Sequence, residues 1–308
     1  DHKLNVGPLS LFFQPNPVAK MALDLADMII AIGIRIGSEE AEPLKKRFPK
    51  GCVLYDVEVE NIPQGYYVDA FEEGDLKRTI RKLNDRLSTE EKRVANSQVY
   101  ESISRIKKDL ENKFNREIES NRQRKPIHAG LVMKTLRSLL ERDAIVAADV
   151  GKACLWFRDL FPVLEPNTFL EPGSYASMGF ALPAAISAKL VHSDRQVVGV
   201  TGDGGFLTSY MDLPTALMHG ANIIMLVLND SKWGAIWSLQ RELFSGRTIA
   251  TDLQPSNFAL LCNAFGGKGI RVEEPADIKV ALEEALVSKV PVVVDIVIDH
   301  TMDIFRIN

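Results

Sequence analysis

"VVGVTGDGGFLTSY", residues Val197 to Tyr210, decides how the chain is read. Apolar, mostly β-branched residues run without alternation into a carboxylate, Asp203, set among Gly202, Gly204 and Gly205. Such a run predicts a strand buried on both faces, as in a parallel sheet covered by helices. Gly204 and Gly205 lack β-carbons, so a phosphate can approach their N–H groups, and the helix that follows adds a favourable dipole. Asp203 would repel that phosphate unless a divalent cation lay between them.

A second carboxylate stands at the right distance. Twenty-six residues lie between Asp203 and Asp230, about one helix plus one strand, so both side chains reach one crevice of a parallel sheet. Magnesium takes about six oxygens, a few from protein and the rest from phosphate and water. Asp203, Asp230 and a main-chain carbonyl just beyond would fill the protein's share. For Asp203 alone, the competing reading is a turn carboxylate that caps the next helix.

Outward from that stretch, helix and strand alternate, which predicts a doubly wound parallel α/β sheet. Strands are expected at "DAIVAAD", "QVVGVTGD", "ANIIMLVLND", "KGIRVE" and "PVVVDIVID". Three of them end in an acid: Asp149, Asp203 and Asp230. Ligands of open parallel sheets sit outside that carboxyl edge. Helices are expected at "PIHAGLVMKTLRSLLE", "GFALPAAISAKLV", "DLPTALMHG", "AIWSLQREL", "SNFALLCNAF" and "PADIKVALEEALVS".

The earlier part reads as a smaller α/β unit. "NPVAKMALDLAD" is helical in period and feeds the strand "ADMIIAIGIRIG", Ala26 to Gly37. "CVLYDVEVE", Cys52 to Glu60, is a second strand, and Leu76, Ile80 and Leu83 share one face of a helix over Gly74 to Leu87. From Ser88 to Lys125 the chain is dense in charge without glycine or proline. Ser88 and Glu91 have capping-box spacing, so one or two solvated helices are expected there. The division is 1–87, 88–125 and 126–308. The first segment holds few strands for a complete parallel sheet, and the chain opens on "DHKLNVGPLS" with no initiator methionine, signal peptide or transit pattern, so it reads as a piece of something longer.

Composition narrows the function classes. Among 308 residues, 46% are hydrophobic and 25% charged, and the net charge is −4, which gives no electrostatic reason to expect nucleic acid. The longest apolar runs, such as "IIMLVL", fall far short of the ~20 residues that cross a bilayer. A soluble, cytoplasmic protein is expected. Cys52, Cys154 and Cys262 are odd in number and far apart, and the five histidines lack metal-ligand spacing.

"GDGGF", followed 24 residues beyond Gly204 by "LND", resembles the thiamine diphosphate fingerprint of the pyruvate decarboxylase and acetolactate synthase superfamily. "EPGSYASMGFALPAAISAKL", Glu171 to Leu190, is similar to that family's G-G-L-G-T-M-G-F-G-L-P-A-A-I-G-A-K, and "AIVAADVGKACLW" to its strand and D-V-G turn. "NPVAKMALDLADMIIAIGIRIG" resembles the second half of the family's Rossmann-like central domain. The amino-terminal pyrimidine-binding domain and the first half of the central domain have no counterpart in this chain.

The resemblance implies a site residue by residue. Asp203, Asp230 and the Lys232 carbonyl would hold Mg2+. The turns at Gly151, Gly202, Gly204 and Gly205, with Asn229, would shape the diphosphate pocket. Met178 would prop the cofactor in its bent form, and the Ala176 carbonyl would accept from its amino group. The implied chemistry is decarboxylation of a 2-oxo acid, after which the cofactor's thiazolium ring stores the electron pair. That pair goes on to a second carbonyl, giving an acetohydroxy acid, or to a proton, giving an aldehyde.

The chain departs from the family pattern in places. Asp230 stands for the second Asn of N-N. Lys152 stands for the Gln after D-V-G, and is expected either to pair with a phosphate or to point to solvent. Ala235 and Leu239 replace a Met and a Trp, so substrate preference does not transfer. The family glutamate that protonates the pyrimidine lies in the absent domain, so no catalytic residue is assigned, and the chain is expected to be inactive without a pyrimidine-domain partner. It is either a fragment or one subunit of a split enzyme. The intact protein is expected to be a dimer or tetramer, with FAD left open. A simple 2-oxo acid decarboxylase or lyase is the alternative activity, and a nucleotide-binding regulatory module the alternative class.

Overall fold

The computed structural model describes residues 5–7, 17–33, 52–55, 70–72, 74–89 and 97–302. The chain divides into two compact units, His2–Lys113 and Phe114–Ile307.

In the first unit, helix Pro17–Leu25 precedes strand β1 (Ile29–Ile32), which pairs in parallel with β2 (Cys52–Tyr55), and β2 with β3 (Ala70–Glu72). Helix Leu76–Thr89 follows, and the Asp75 carboxylate caps its start by accepting the Arg78 N–H at 2.7 Å. Residues 34–37 and 56–60 of the two expected strands lie outside the described residues. The capping box expected at Ser88 is corrected. Ser88 lies in the last turn of the preceding helix, where its hydroxyl donates to the Asp85 carbonyl. The next described helix begins only at Ser97 and runs to Ser120. A serine near a helix end satisfies carbonyls as readily as N–H groups, so spacing alone could not choose.

The second unit carries a six-stranded, wholly parallel sheet: β4 (Ile145–Ala148), β5 (Phe169–Leu170), β6 (Val197–Gly202), β7 (Ile224–Asn229), β8 (Lys268–Val272) and β9 (Val292–Val297). Their order is β5-β4-β6-β7-β9-β8. All five strands expected from the sequence form. The sixth, β5, has two residues at the sheet edge and is too short to carry a period.

The strands are buried on both faces for the expected reason. Ile145, Ala147, Val197, Met225, Val227 and Val293 join Leu182, Phe206, Phe258 and Cys262 in one core. Their alternates Val146, Ala148, Val198, Val200, Leu226, Leu228 and Val294 are buried too. Helices Ala129–Leu139, Lys152–Leu160, Ala181–Val191, Leu213–Met218, Gly234–Leu243, Phe258–Ala264 and Ile278–Leu286 complete the unit with the short helix Asp203–Leu207. Among the described residues, no helix is long and apolar enough to cross a membrane.

Candidate thiamine diphosphate and cation site

From β4 the chain passes outward to edge strand β5 and then returns to β6 on β4's other side. The order therefore reverses between β4 and β6, where open α/β sheets bind ligands beyond the strand tips. The adjacent strands β4, β6 and β7 deliver Asp149, Asp203 and Asp230 to that edge.

The structure brings Asp203 and Asp230 together. Asp203 is 3% exposed and accepts the Gly204 N–H at 2.8 Å, with further support from the N–H groups of Ser231 and Lys232 on the β7 tip. Asp230 accepts the same Lys232 N–H at 3.1 Å. Burial, then the charge of Asp230, pushes the Asp203 carboxyl up to about 7 against those hydrogen bonds. Burial likewise raises Asp230 to about 6, opposed first by the Lys152 ammonium.

The electrostatic balance decides what the pair lacks. A helix dipole offers a nearby anion about 0.3–1 kcal/mol, whereas two like charges about 4 Å apart at an effective dielectric near 20 repel by about 4 kcal/mol. The five-residue helix Asp203–Leu207 does not offset the excess negative charge, and a divalent cation would. The donor set suits a hard, oxygen-seeking ion such as Mg2+. Among the described residues, no group of three or more His, Cys, Asp and Glu is placed to hold a metal. In the turn after β7, where Ser231 has φ 55°, the Ser231 carbonyl is taken by Leu253 N–H and that of Trp233 by Trp237 N–H. The intervening Lys232 carbonyl accepts none of the described hydrogen bonds.

Asp149 plays another part. It is 1% exposed and accepts from Val150 N–H (2.8 Å), Gly179 N–H (3.0 Å), Ala181 N–H (3.4 Å) and the Thr201 hydroxyl (3.2 Å). It thereby ties β4 to β6 and to the loop carrying Ala176 and Met178. Sequence reasoning noted it only as an acidic strand end.

The glycines have reasons beyond ligand access. A β-carbon on Gly204 would stand 2.5 Å from the Trp233 ring, and one on Gly205 2.5 Å from Thr201 Oγ1 and 3.2 Å from Asp149. Gly151, at φ 93°, starts helix Lys152–Leu160, and Gly202 is the last residue of β6. Asn229 is turned from Asp230: its amide donates to Asp295 at 2.9 Å and to the Ser256 carbonyl at 3.0 Å. Ala176 sits in the left-handed region at φ 49°, a strained conformation for a residue with a β-carbon. Met178, three residues before the helix that Asp149 anchors, is 43% exposed.

Of the two alternatives for Lys152 at the rim, the solvent-facing one is excluded. Lys152 does not point to solvent: it is 5% exposed and its Nζ donates to the His300 carbonyl at 2.6 Å. Trp237, 8% exposed, packs edge-on to His300, with Lys152, Lys232 and Arg241 over its ring, in keeping with a packing role. A polar hollow of about 390 Å³ lies at the opposite, amino-terminal edge of the sheet, lined by Lys189, Arg195, His219 and Lys289 among others, and includes none of the strand-tip carboxylates.

A parallel α/β domain with a glycine-flanked carboxylate pair at its switch point is the class defined so far. Residues 149–296 match the family described as "Thiamine pyrophosphate enzyme, C-terminal TPP binding domain". The chain is 27% identical to a "Probable acetolactate synthase large subunit" of Methanocaldococcus jannaschii, over 97% of this chain and 50% of that protein. It is 27% identical to an "Acetolactate synthase" of Bacillus subtilis over 97% of this chain and 51% of that protein, and 28% identical to an "Acetolactate synthase large subunit" of Buchnera aphidicola over 93% and 50%. The chain spans about half the length of the curated relatives it matches. The resemblance read from the sequence holds, and so does the α/β fold.

Proposed function

We propose that the chain forms the diphosphate- and metal-binding half of an acetolactate synthase-like site that decarboxylates a 2-oxo acid and joins the product to a second carbonyl. One observation carries the reading: a buried carboxylate, Asp203, and a half-buried one, Asp230, from adjacent strand tips share the Lys232 N–H and are held above the usual carboxylate range. That is the electrostatic state a bound Mg2+ relieves.

Asp203, Asp230 and the Lys232 carbonyl hold Mg2+. Main-chain N–H groups of the turns at Gly151, Gly202 and Gly205 would face the diphosphate, the Gly204 N–H being taken by the Asp203 carboxylate, and Asn229 fixes the β7 tip through Asp295. The strained turn at Ala176 would offer its carbonyl to the cofactor's amino group, and the half-exposed Met178 would pack against the cofactor. Bound thiamine diphosphate supplies the electron sink for decarboxylation. The protein's own residues bind, orient and exclude water. The glutamate for the pyrimidine ring comes from a pyrimidine-binding domain, on another segment or another chain, within a cytoplasmic homo-oligomer.

Calorimetry tests this reading. Thiamine diphosphate with Mg2+ should bind, and Asp203→Ala should abolish that binding. Binding that survives Asp203→Ala, or equally tight binding of an adenine nucleotide, contradicts it.

A further inference from the structure

Lys152 is a buried ammonium that the reading above leaves without a task. It is the first residue of helix Lys152–Leu160, beyond the tip of β4, yet its Nζ reaches the His300 carbonyl in the segment after β9. On the way it flanks Asp230. A β-carbon placed on Gly234 would lie 2.8 Å from Asp230 Oδ2 and 3.3 Å from Lys152 Cδ, so the missing side chain is what lets the two stand beside the same helix start. The Lys152 charge is the largest influence opposing burial at Asp230. The second nearby ammonium, Lys232, is engaged by Asp252 in an ion pair, and the Arg241 guanidinium lies over the Trp237 ring. An internal cation thus stands in the second rank of a site read as binding a divalent one.

We propose that Lys152 is a tethered counter-charge for Asp230 that weakens the site's hold on a bare divalent cation, so that firm cation binding requires the negative charge of a bound diphosphate. The inference rests on the cation-site reading. Its physics is Coulombic: a fixed positive charge a few ångströms from a dication opposes binding by a factor on the order of ten even at high dielectric, and a diphosphate brings enough negative charge to reverse the balance. Asp230 and Lys152 are then one device, and neither is expected to be neutralised alone without altering cation affinity. Lys152 acts through Asp230 and the cation; it is a positioning residue.

The test measures binding of Mn2+ alone, by loss of the free-ion electron paramagnetic resonance signal at pH 8.5, where both carboxylates are ionised. Lys152→Gln should bind Mn2+ about tenfold more tightly than the wild type, and Lys152→Met, which keeps the apolar stem, should agree. Lys152→Arg, which keeps the charge, should stay near the wild type. In the wild type, thiamine diphosphate should tighten Mn2+ binding by at least about tenfold, and in Lys152→Gln by clearly less. Unchanged or weaker Mn2+ binding in the two neutral variants, with wild-type binding lost in Asp203→Ala, overturns the proposal and leaves the cation site standing. Wild-type Mn2+ affinity indifferent to thiamine diphosphate overturns it without any variant. Wild-type Mn2+ binding that is absent even with thiamine diphosphate present, or unaffected by Asp203→Ala, overturns both.

Discussion

Asp149 and Asp203 stand on adjacent strand tips of one sheet, both almost fully buried, and they differ in how their charge is met. Asp149 has four described donors around it and no carboxylate among the influences on its charge. Asp203 has three backbone donors and a second carboxylate beside it. Burial raises both. What separates them is the like charge that no protein cation fully offsets. A buried carboxylate ringed by donors is architecture, and a carboxylate pair with charge left over is a place for something positive.

The largest effect should come from removing the architectural member. Asp149→Ala strands two loop N–H groups in a dry environment and leaves a cavity beside Thr201, and should cost about 3 kcal/mol or more in denaturant unfolding. Asp203→Asn should do the reverse to the metal-free protein. At pH 8 it removes a repulsive charge and should stabilise by about 1–3 kcal/mol, while erasing any stabilisation by Mg2+. If both substitutions destabilise equally, the distinction between the two tips is wrong.

Acid titration sharpens the same contrast. Asp203 and Asp230 have folded values raised to about 7 and about 6 from 3.8. Their contribution is therefore fully present below about pH 4 and lost as pH rises through 6 to 7. His128, wholly buried, accepts the Gly130 N–H at 3.0 Å, and burial followed by the Arg124 charge depresses it to about 4. Its contribution runs the other way, present above 6.5 and lost as pH falls toward 4. His128→Asn keeps a helix-capping acceptor and removes this opposing trend. The melting temperature of that variant, free of metal, should then fall more steeply from pH 4.5 to 7.5 than the wild type's, and Mg2+ with thiamine diphosphate at pH 8 should restore it.

Gly205→Ala aims a β-carbon at Thr201 and Asp149, and should destabilise by about 1–3 kcal/mol. Lys232→Ala should have the smallest effect. Its Nζ pairs with Asp252, which is 80% exposed, so stability should change by no more than about 1 kcal/mol. Stabilisation by Mg2+ should survive because the proposed ligand is the main-chain carbonyl. Loss of that stabilisation would move the ligand role to another atom.

The sequence made the tips of β6 and β7 legible because the signal there is local. An unbroken apolar run sets a buried parallel strand, and glycines with an acid mark its end. The same locality explains what was missed. Thr201 and Gly179 become partners of Asp149 only once β4 and β6 are paired and the loop before Ala181 has folded back. Lys152 looked equally suited to solvent because its confinement depends on His300, 148 residues away. Asn229 sits beside Asp230 in sequence, yet strand alternation turns it to Asp295 on the neighbouring strand. Gly204 and Gly205 read as openings for a phosphate, whereas Trp233 and Thr201 already require both to lack a side chain.

The most direct measurement is a crystal of the chain grown with Mn2+ and thiamine diphosphate, with data collected at the manganese edge. The account predicts one strong anomalous peak within bonding distance of Asp203, Asp230 and the Lys232 carbonyl, adjoining the diphosphate. A cofactor bound elsewhere, or a peak that touches neither carboxylate, would contradict it.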